Sequence, residues 1–228
     1  MCGRARLSSD VSEIKIAFRI PPERPMPNIA PSWNVAPTDP LPVVRYDAKD
    51  HQRSLEVMRW GLVPFWAKDI KVGFANINAK AEGVETKPAF REAFRQRRCL
   101  VPVDNFYEWK KTANGKQPYA ITLADRKLMA LAGLWESWRS PAGERVPSFA
   151  IVTTEPNELC AELHNRMPVI LAPEVWPAWL GEQPADESHL KALLAPYSSD
   201  EMICWPVSRR VGNVKNNDPS LIEPIVLQ

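Results

Sequence analysis

The chain has 228 residues, 45% of them hydrophobic, and a formal net charge of +2. That is apolar content enough for one substantial core, with too little charge imbalance to point by itself to a polyanionic partner. No apolar run approaches the roughly 20 residues of a membrane span, the start lacks the apolar stretch of a secretory signal, and Cys2, Cys99, Cys160 and Cys204 lie far apart without a C-x-x-C pair. The chain therefore reads as one cytoplasmic domain over residues 1–228. It shows no metal-ligand cluster, no disulfide framework, and no sign of an organic cofactor or an obligate protein partner.

SSDVSEIKIAF places Ser and Asp before apolar residues at Val11, Ile14 and Phe18, the signature of a short capped helix. The next stretch, PPERPMPNIAPSWNVAPTDP, has five prolines in its first twelve positions, which excludes regular helix and central strand. Trp33 and Ile29 nevertheless suggest that it packs onto the body. LPVVRY and LEVMRWGLV read as strands, and TKPAFREAFRQRR as a helix with Phe90, Ala93, Phe94 and Arg97 at helical spacing. CLVPVDNFYEWKK and QPYAITL flank Asn114-Gly115, a hairpin signal. KLMALAGLWESW and PSFAIVTT add strands, and the last third mixes short helices around PEVWPAWL and SHLKALL with the strands MPVIL and MICWPVS. The fold class predicted is α+β, with a mostly antiparallel, barrel-like sheet and peripheral short helices.

Five positions carry candidate chemistry. Cys2 follows the initiator methionine, and its removal would leave an α-amine and a thiol on one residue. The amine can condense with an aldehyde to an imine, which the thiol then closes to a five-membered thiazolidine; an internal cysteine has no such amine. In DNFYEWKK, alternation puts Phe106 and Glu108 on one strand face and Tyr107 and Trp109 on the other. A carboxyl crowded by aromatics has its pKa raised, as general acid–base work requires. Asn76 and Asn78 share a face if FANINAK is extended, and an Asn amide can both accept from an amine and donate to an oxyanion. His164 precedes Asn165 and Arg166 at a predicted helix-to-strand junction. Basic and aromatic residues interleave in MCGRAR, WGLVPFWAK and WPVSRRVGNVKN, the composition that single-stranded nucleic acid requires. Each residue also has a plain structural reading: a frayed terminus, a surface ion pair, a turn, or core tryptophan, the last of which fits Trp60.

MCGR at the start, NVAP at 34–37, WGLVPFW, NAKAE, KPAF, FYEWKK, LHNRMPVIL and WPVS..VGNVKN occur in an order that resembles the SOS response-associated peptidase (SRAP) family across nearly the whole chain. The resemblance implies a single α+β domain that removes its own initiator methionine. It implies that Cys2 then traps abasic sites in single-stranded DNA as a thiazolidine crosslink, a self-processing peptidase with crosslinking and lyase-type activity that joins the nucleoid when on DNA. By that carry-over Cys2, Asn78, Glu108 and His164 are catalytic, and Arg4, Phe65, Trp66, Lys80, Arg166, Arg209 and Lys215 contact DNA. Asn34 and Trp109 support the site. Two positions depart from the family pattern: Lys80 stands where arginine is frequent, and Gly83 where threonine is frequent. Two other classes compete: an amidohydrolase using an N-terminal cysteine, like the class II glutamine amidotransferases, and a non-covalent single-strand binding module.

Overall fold

The computed structural model describes residues 2–227. Its first half contains β1 (Ala5–Leu7), α1 (Val11–Ala17), β2 (Ser32–Val35), β3 (Pro40–Asp47), β4 (Gln52–Trp60), β5 (Asn78–Lys80), α2 (Arg91–Gln96), β6 (Arg98–Val103) and β7 (Asn105–Thr112). The second half contains β8 (Gly115–Leu123), β9 (Met129–Arg139), β10 (Arg145–Thr154), α3 (Glu158–Ala161), β11 (Met167–Pro168), α4 (Trp176–Leu180), α5 (Glu187–Ala192) and β12 (Met202–Pro206). Short 3-10 turns punctuate the connections.

The apolar strands predicted from sequence close on themselves. They pair in the order β10-β4-β3-β6-β9, and β9 pairs back onto β10, giving a five-stranded barrel. Closure leaves none of these five strands with an unpaired edge along its whole length. The β10–β4 contact is parallel and the other four ladders are antiparallel, so the mostly antiparallel, barrel-like α+β fold holds. Gly133 sits where β9 bends against β6: a Cβ there would lie 2.8 Å from Cys99 Sγ, so a larger residue would push the strands apart. β5 and β11 attach to β10 at Ile151–Thr153 and Thr153–Thr154.

A second sheet has the order β12-β8-β7-β1-β2. In it β1 lies between β7 and β2, so the first residues of the chain are held inside a sheet. Neither β1 nor β2 is legible in the sequence. β1 is too short for periodicity, and β2 lies between Pro31 and Pro37; it is tolerated there because it occupies the sheet edge. The capped helix is α1, with Asp10 accepting from Ser12 N–H and Glu13 closing a capping box.

Several boundaries differ from expectation. β4 ends at Trp60, because Gly61 adopts φ +120° and turns the chain out of the barrel; LV continues as a loop. The β7–β8 hairpin pairs Thr112 with Gly115, so the tip is Ala113–Asn114 and Gly115 alone carries the positive φ, +100°. The register runs unbroken into the two-residue tip, and because Asn114 keeps a negative φ this is not an Asn-Gly type I′ turn. KPAF stays outside α2, which starts only at Arg91. MPVIL contributes two strand residues, with Ile170 forming an isolated bridge to Leu131.

Candidate active site

β7 separates two apolar clusters, as the alternation of DNFYEWKK requires. Phe106 faces the main core, whereas Tyr107 is buried with Val207, Val211 and Leu221, and Trp109 packs on that second cluster. Glu108 follows Phe106 to the core side and keeps only 4% of its surface exposed. Burial raises its carboxyl to about 7. A carboxyl raised toward neutrality can both give and take a proton with little driving force wasted.

Cys2 is fully buried within the main core. β1 pairs with β7 through Ala5–Phe106 and Arg6–Asn105, and Tyr107 N–H donates to Arg4 O at 3.0 Å. Continued toward the terminus, this antiparallel register carries Cys2 alongside the Glu108 segment. The two groups feel each other: burial, and after it the Glu108 charge, hold the Cys2 thiol well above its usual range. Residue 1, whose removal the resemblance implies, lies outside the described residues.

His164 follows α3 in a turn that neighbours β7. Asn157 caps that helix, and His164 N–H donates to Cys160 O at 2.9 Å as the chain turns back. Lys110 of β7 lies 3.7 Å from Glu162, and the charge of Glu108 acts on buried Cys160, so this turn packs over the end of β7 that carries Glu108. His164 Nδ1 accepts from Arg166 N–H at 3.1 Å. The neutral ring therefore carries its hydrogen on Nε2. Burial lowers the imidazole's pKa, which favours that neutral form.

Asn78 opens β5 and pairs with Ile151 of β10. Its Nδ2 donates to Ile77 O at 3.1 Å, while its Oδ1 is buried without a hydrogen-bond partner among the described residues. An unpartnered buried acceptor costs about 1–3 kcal/mol unless a ligand group or water completes it. Asn76 does not share the strand: it ends the 3-10 turn Ile70–Ala75 and donates to Leu62 O, anchoring the neighbouring loop.

Asn78 and Asn76 line a groove of about 450 Å3 whose other walls include Trp66, Lys80, Lys87, Thr153 and Arg166. The Trp66 wall is built by local chemistry. Pro64 and Ala67 close a tight turn (2.9 Å), Trp138 Nε1 donates to Ala67 O at 2.6 Å, and Gly61 and Gly73 pack so closely that a Cβ on either would meet the other's carbonyl oxygen within 2.7 Å. Phe65 and Trp66 occupy the turn's tip, 60% and 52% exposed. Two aromatic rings held in water by a fixed loop form a platform for stacking.

Arg166 donates to both carboxylate oxygens of Glu82, at 2.7 and 2.9 Å, and to Thr153 O at 2.7 Å. Glu82 and Thr153 escaped sequence reasoning, since nothing in NAKAE signals a partner 84 residues away. Lys80 is exposed on the same wall. At Gly83 the departure from threonine has a physical counterpart, a φ of +110° that side chains rarely adopt.

The remaining candidates form a separate group. Arg4 Nη1 donates to Asn34 Oδ1 at 2.9 Å and Val211 O at 2.6 Å, and its guanidinium lies 5.8 Å from the Trp109 ring centroid. Buried Asn34 donates onward to the carbonyls of Val211, Asn213 and Asn216. Together they fasten the 209–216 segment to β1 and β2, and Arg209 and Lys215 stand exposed on it. Among the described residues these two do not line the Trp66–Arg166 groove.

The family model for SOS response associated peptidase (SRAP) matches residues 1–214. The chain belongs to the SRAP family. It is 42% identical over 224 residues to the abasic site processing protein YoqW of Bacillus subtilis, covering 98% of this chain and 99% of that one. It is 31% identical to the abasic site processing protein HMCES of Gallus gallus, over 86% of this chain and 67% of the other. A crystal structure of a Bacteroides thetaiotaomicron protein superimposes with a TM-score of 0.89 at 24% identity, covering 99% of this chain and all of that one, and so shares the fold. Membership in the SRAP family sets the amidotransferase reading aside. Among the described residues no helix is long and apolar enough to cross a membrane, and none of them form a group of three or more His, Cys, Asp or Glu side chains that could hold a metal.

Proposed function

We propose that this SRAP protein processes abasic sites in single-stranded DNA by forming a covalent bond through Cys2 after Met1 is removed. One observation carries the reading: a cysteine at the second position is buried against Glu108, a carboxyl raised to about 7, in a chain whose relatives are named abasic site processing proteins.

In the full chain Cys2 has no exposed surface, so loss of residue 1 is the event that presents its nitrogen. The freed α-amine adds to the aldehyde carbon of the ring-opened sugar to give a carbinolamine. Protonated Glu108 delivers its proton to the departing hydroxyl, and water leaves as the imine forms. The Cys2 sulfur then adds to the imine carbon, its proton ends on the ring nitrogen, and the net reaction joins amine, thiol and aldehyde with loss of one water. Neutral His164 can donate from Nε2 to the sugar oxygen and take the proton back on reversal. The unpartnered Asn78 Oδ1 accepts from the reacting amine and holds its lone pair toward the carbon. Trp66 and Phe65 stack on bases beside the lesion, and Lys80 and Arg166 hold phosphates; Arg4, Arg209 and Lys215 extend the basic path, with Asn34 and Trp109 bracing it.

The test is a denaturing gel of protein mixed with single-stranded DNA carrying one abasic site. Wild type is expected to give a shifted band that Cys2→Ser does not. An equal band from Cys2→Ser, or none from wild type, contradicts the proposal. Intact oligonucleotide bound equally by both proteins, with no band from either, would favour the non-covalent binding module.

A further inference from the structure

A second concavity, of about 690 Å3, lies between α1 and the segments around residues 123–130 and 170–176. It shares no lining residue with the Trp66–Arg166 groove. Its floor is apolar, formed by Leu128, Ala130, Ile170 and Trp176. At its edge stands Ile16 of α1, 79% exposed, although Ile14 and Phe18 on the same helix are buried. A single exposed isoleucine is ordinary, but Ile16 stands beside the partly exposed Leu128 and the exposed Pro173 over a floor backed by the buried Ile170 and Trp176, which groups apolar surface at one concavity.

The rim is acidic. Glu13, Asp125 and Glu174 line it, and Asp200 and Glu201 line an adjoining cleft that shares Leu123, Asp125 and Tyr197. Lys127 is the one cation among the lining residues, and its Nζ lies 3.0 Å from Asp125. Tyr197 registers the field: burial, then its hydrogen bond to Glu201 and the charges of Glu201, Asp125 and Glu174, raise its hydroxyl to about 12. In a chain of net charge +2 this is a local concentration of negative charge. It repels a phosphate backbone, so the groove is no continuation of a DNA path. An apolar floor inside an acidic ring is complementary to a helix with one apolar and one cationic face.

We propose that this groove docks a protein partner through a basic amphipathic helix, whose apolar face rests on Ile16, Leu128 and Pro173 while its lysines or arginines meet Glu13, Asp125 and Glu174. The proposal is independent of the chemistry at Cys2.

The test uses three fluorescent peptides of about 16 residues, long enough to hold a helix: one with leucines on one face and lysines on the other, one with glutamates replacing the lysines, and one with serines replacing the leucines. Anisotropy is measured with the full chain and with an Ile16→Ser/Glu174→Lys variant, whose unchanged circular dichroism and cooperative urea unfolding establish that it is folded. The leucine–lysine peptide is expected to bind wild type in a salt-sensitive way, to lose about tenfold or more in affinity for the variant, and to bind better than either control. Equal binding of the serine–lysine or leucine–glutamate peptide, or affinity unchanged in the variant, overturns the proposal. So does a concentration-dependent dimer of wild type that the variant abolishes, since the occupant would then be a second copy of this chain.

Discussion

Glu108 and Arg166, two residues of the proposed site, sit in opposite surroundings. Glu108 is sealed in the wall between β7 and the core, and burial shifts its titration into the neutral range. Arg166 lines an open groove and is kept in position by Glu82, whose own carboxyl this hydrogen bond lowers. A buried carboxyl is suited to move a proton and ill suited to attract DNA. A guanidinium at a groove wall is suited to meet phosphate, and here most of the Arg166 side chain is covered while its more exposed partner Glu82 limits how strongly it can do so. Reactivity and affinity are thus separable by substitution.

The largest expected effect is on the chemical wall. Glu108→Gln should slow crosslinking about 100-fold at neutral pH while leaving affinity for intact single strands unchanged. The same variant sharpens the contrast in stability. Because the folded pKa of Glu108 is raised, the wild-type fold keeps its full stability below the unfolded value near 4.5 and loses some as pH rises through about 7. Glu108→Gln should therefore be more stable than wild type by about 2 kcal/mol at pH 8 and equal to it near pH 4, measured by urea denaturation. An equal gain at both pH values would show that burial does not control this group.

Next comes the platform. Trp66→Ala should weaken single-strand affinity about tenfold, as loss of one stacked base requires, with little change in crosslinking rate at saturating DNA. A rate loss as large as that of Glu108→Gln would erase the distinction. The smallest effects belong to the guanidinium. Arg166→Ala should lower the slope of log affinity against log salt by about one, whereas Glu82→Gln should raise affinity about threefold at low salt by releasing Arg166. A Glu82→Gln protein that binds more weakly would assign Glu82 to positioning Arg166 rather than restraining it.

The sequence exposes the barrel better than the site's frame. β3, β9 and β10 carry apolar runs, and β4 alternates apolar and polar residues, so length and pattern mark all four as strands. The face assignment of Glu108 follows from alternation alone. β1 is invisible because three residues cannot display a period, yet it is the strand that places Cys2 beside Glu108. The link between Arg166 and Glu82 is a tertiary contact with no local signal, as is the fastening of the 209–216 segment by Asn34. Asn76 and Asn78 look equivalent in FANINAK, and only the 3-10 turn ending at Ala75 separates an anchoring side chain from one with a vacant acceptor.

The most direct test of covalent attachment through Cys2 is the intact mass of the adduct formed with abasic single-stranded DNA, isolated after heat denaturation without a reducing agent. The expected mass is that of the chain lacking Met1 plus the oligonucleotide minus one water, with fragmentation placing the link on residue 2. An adduct that retains Met1, or one attached to a lysine elsewhere, would contradict the account.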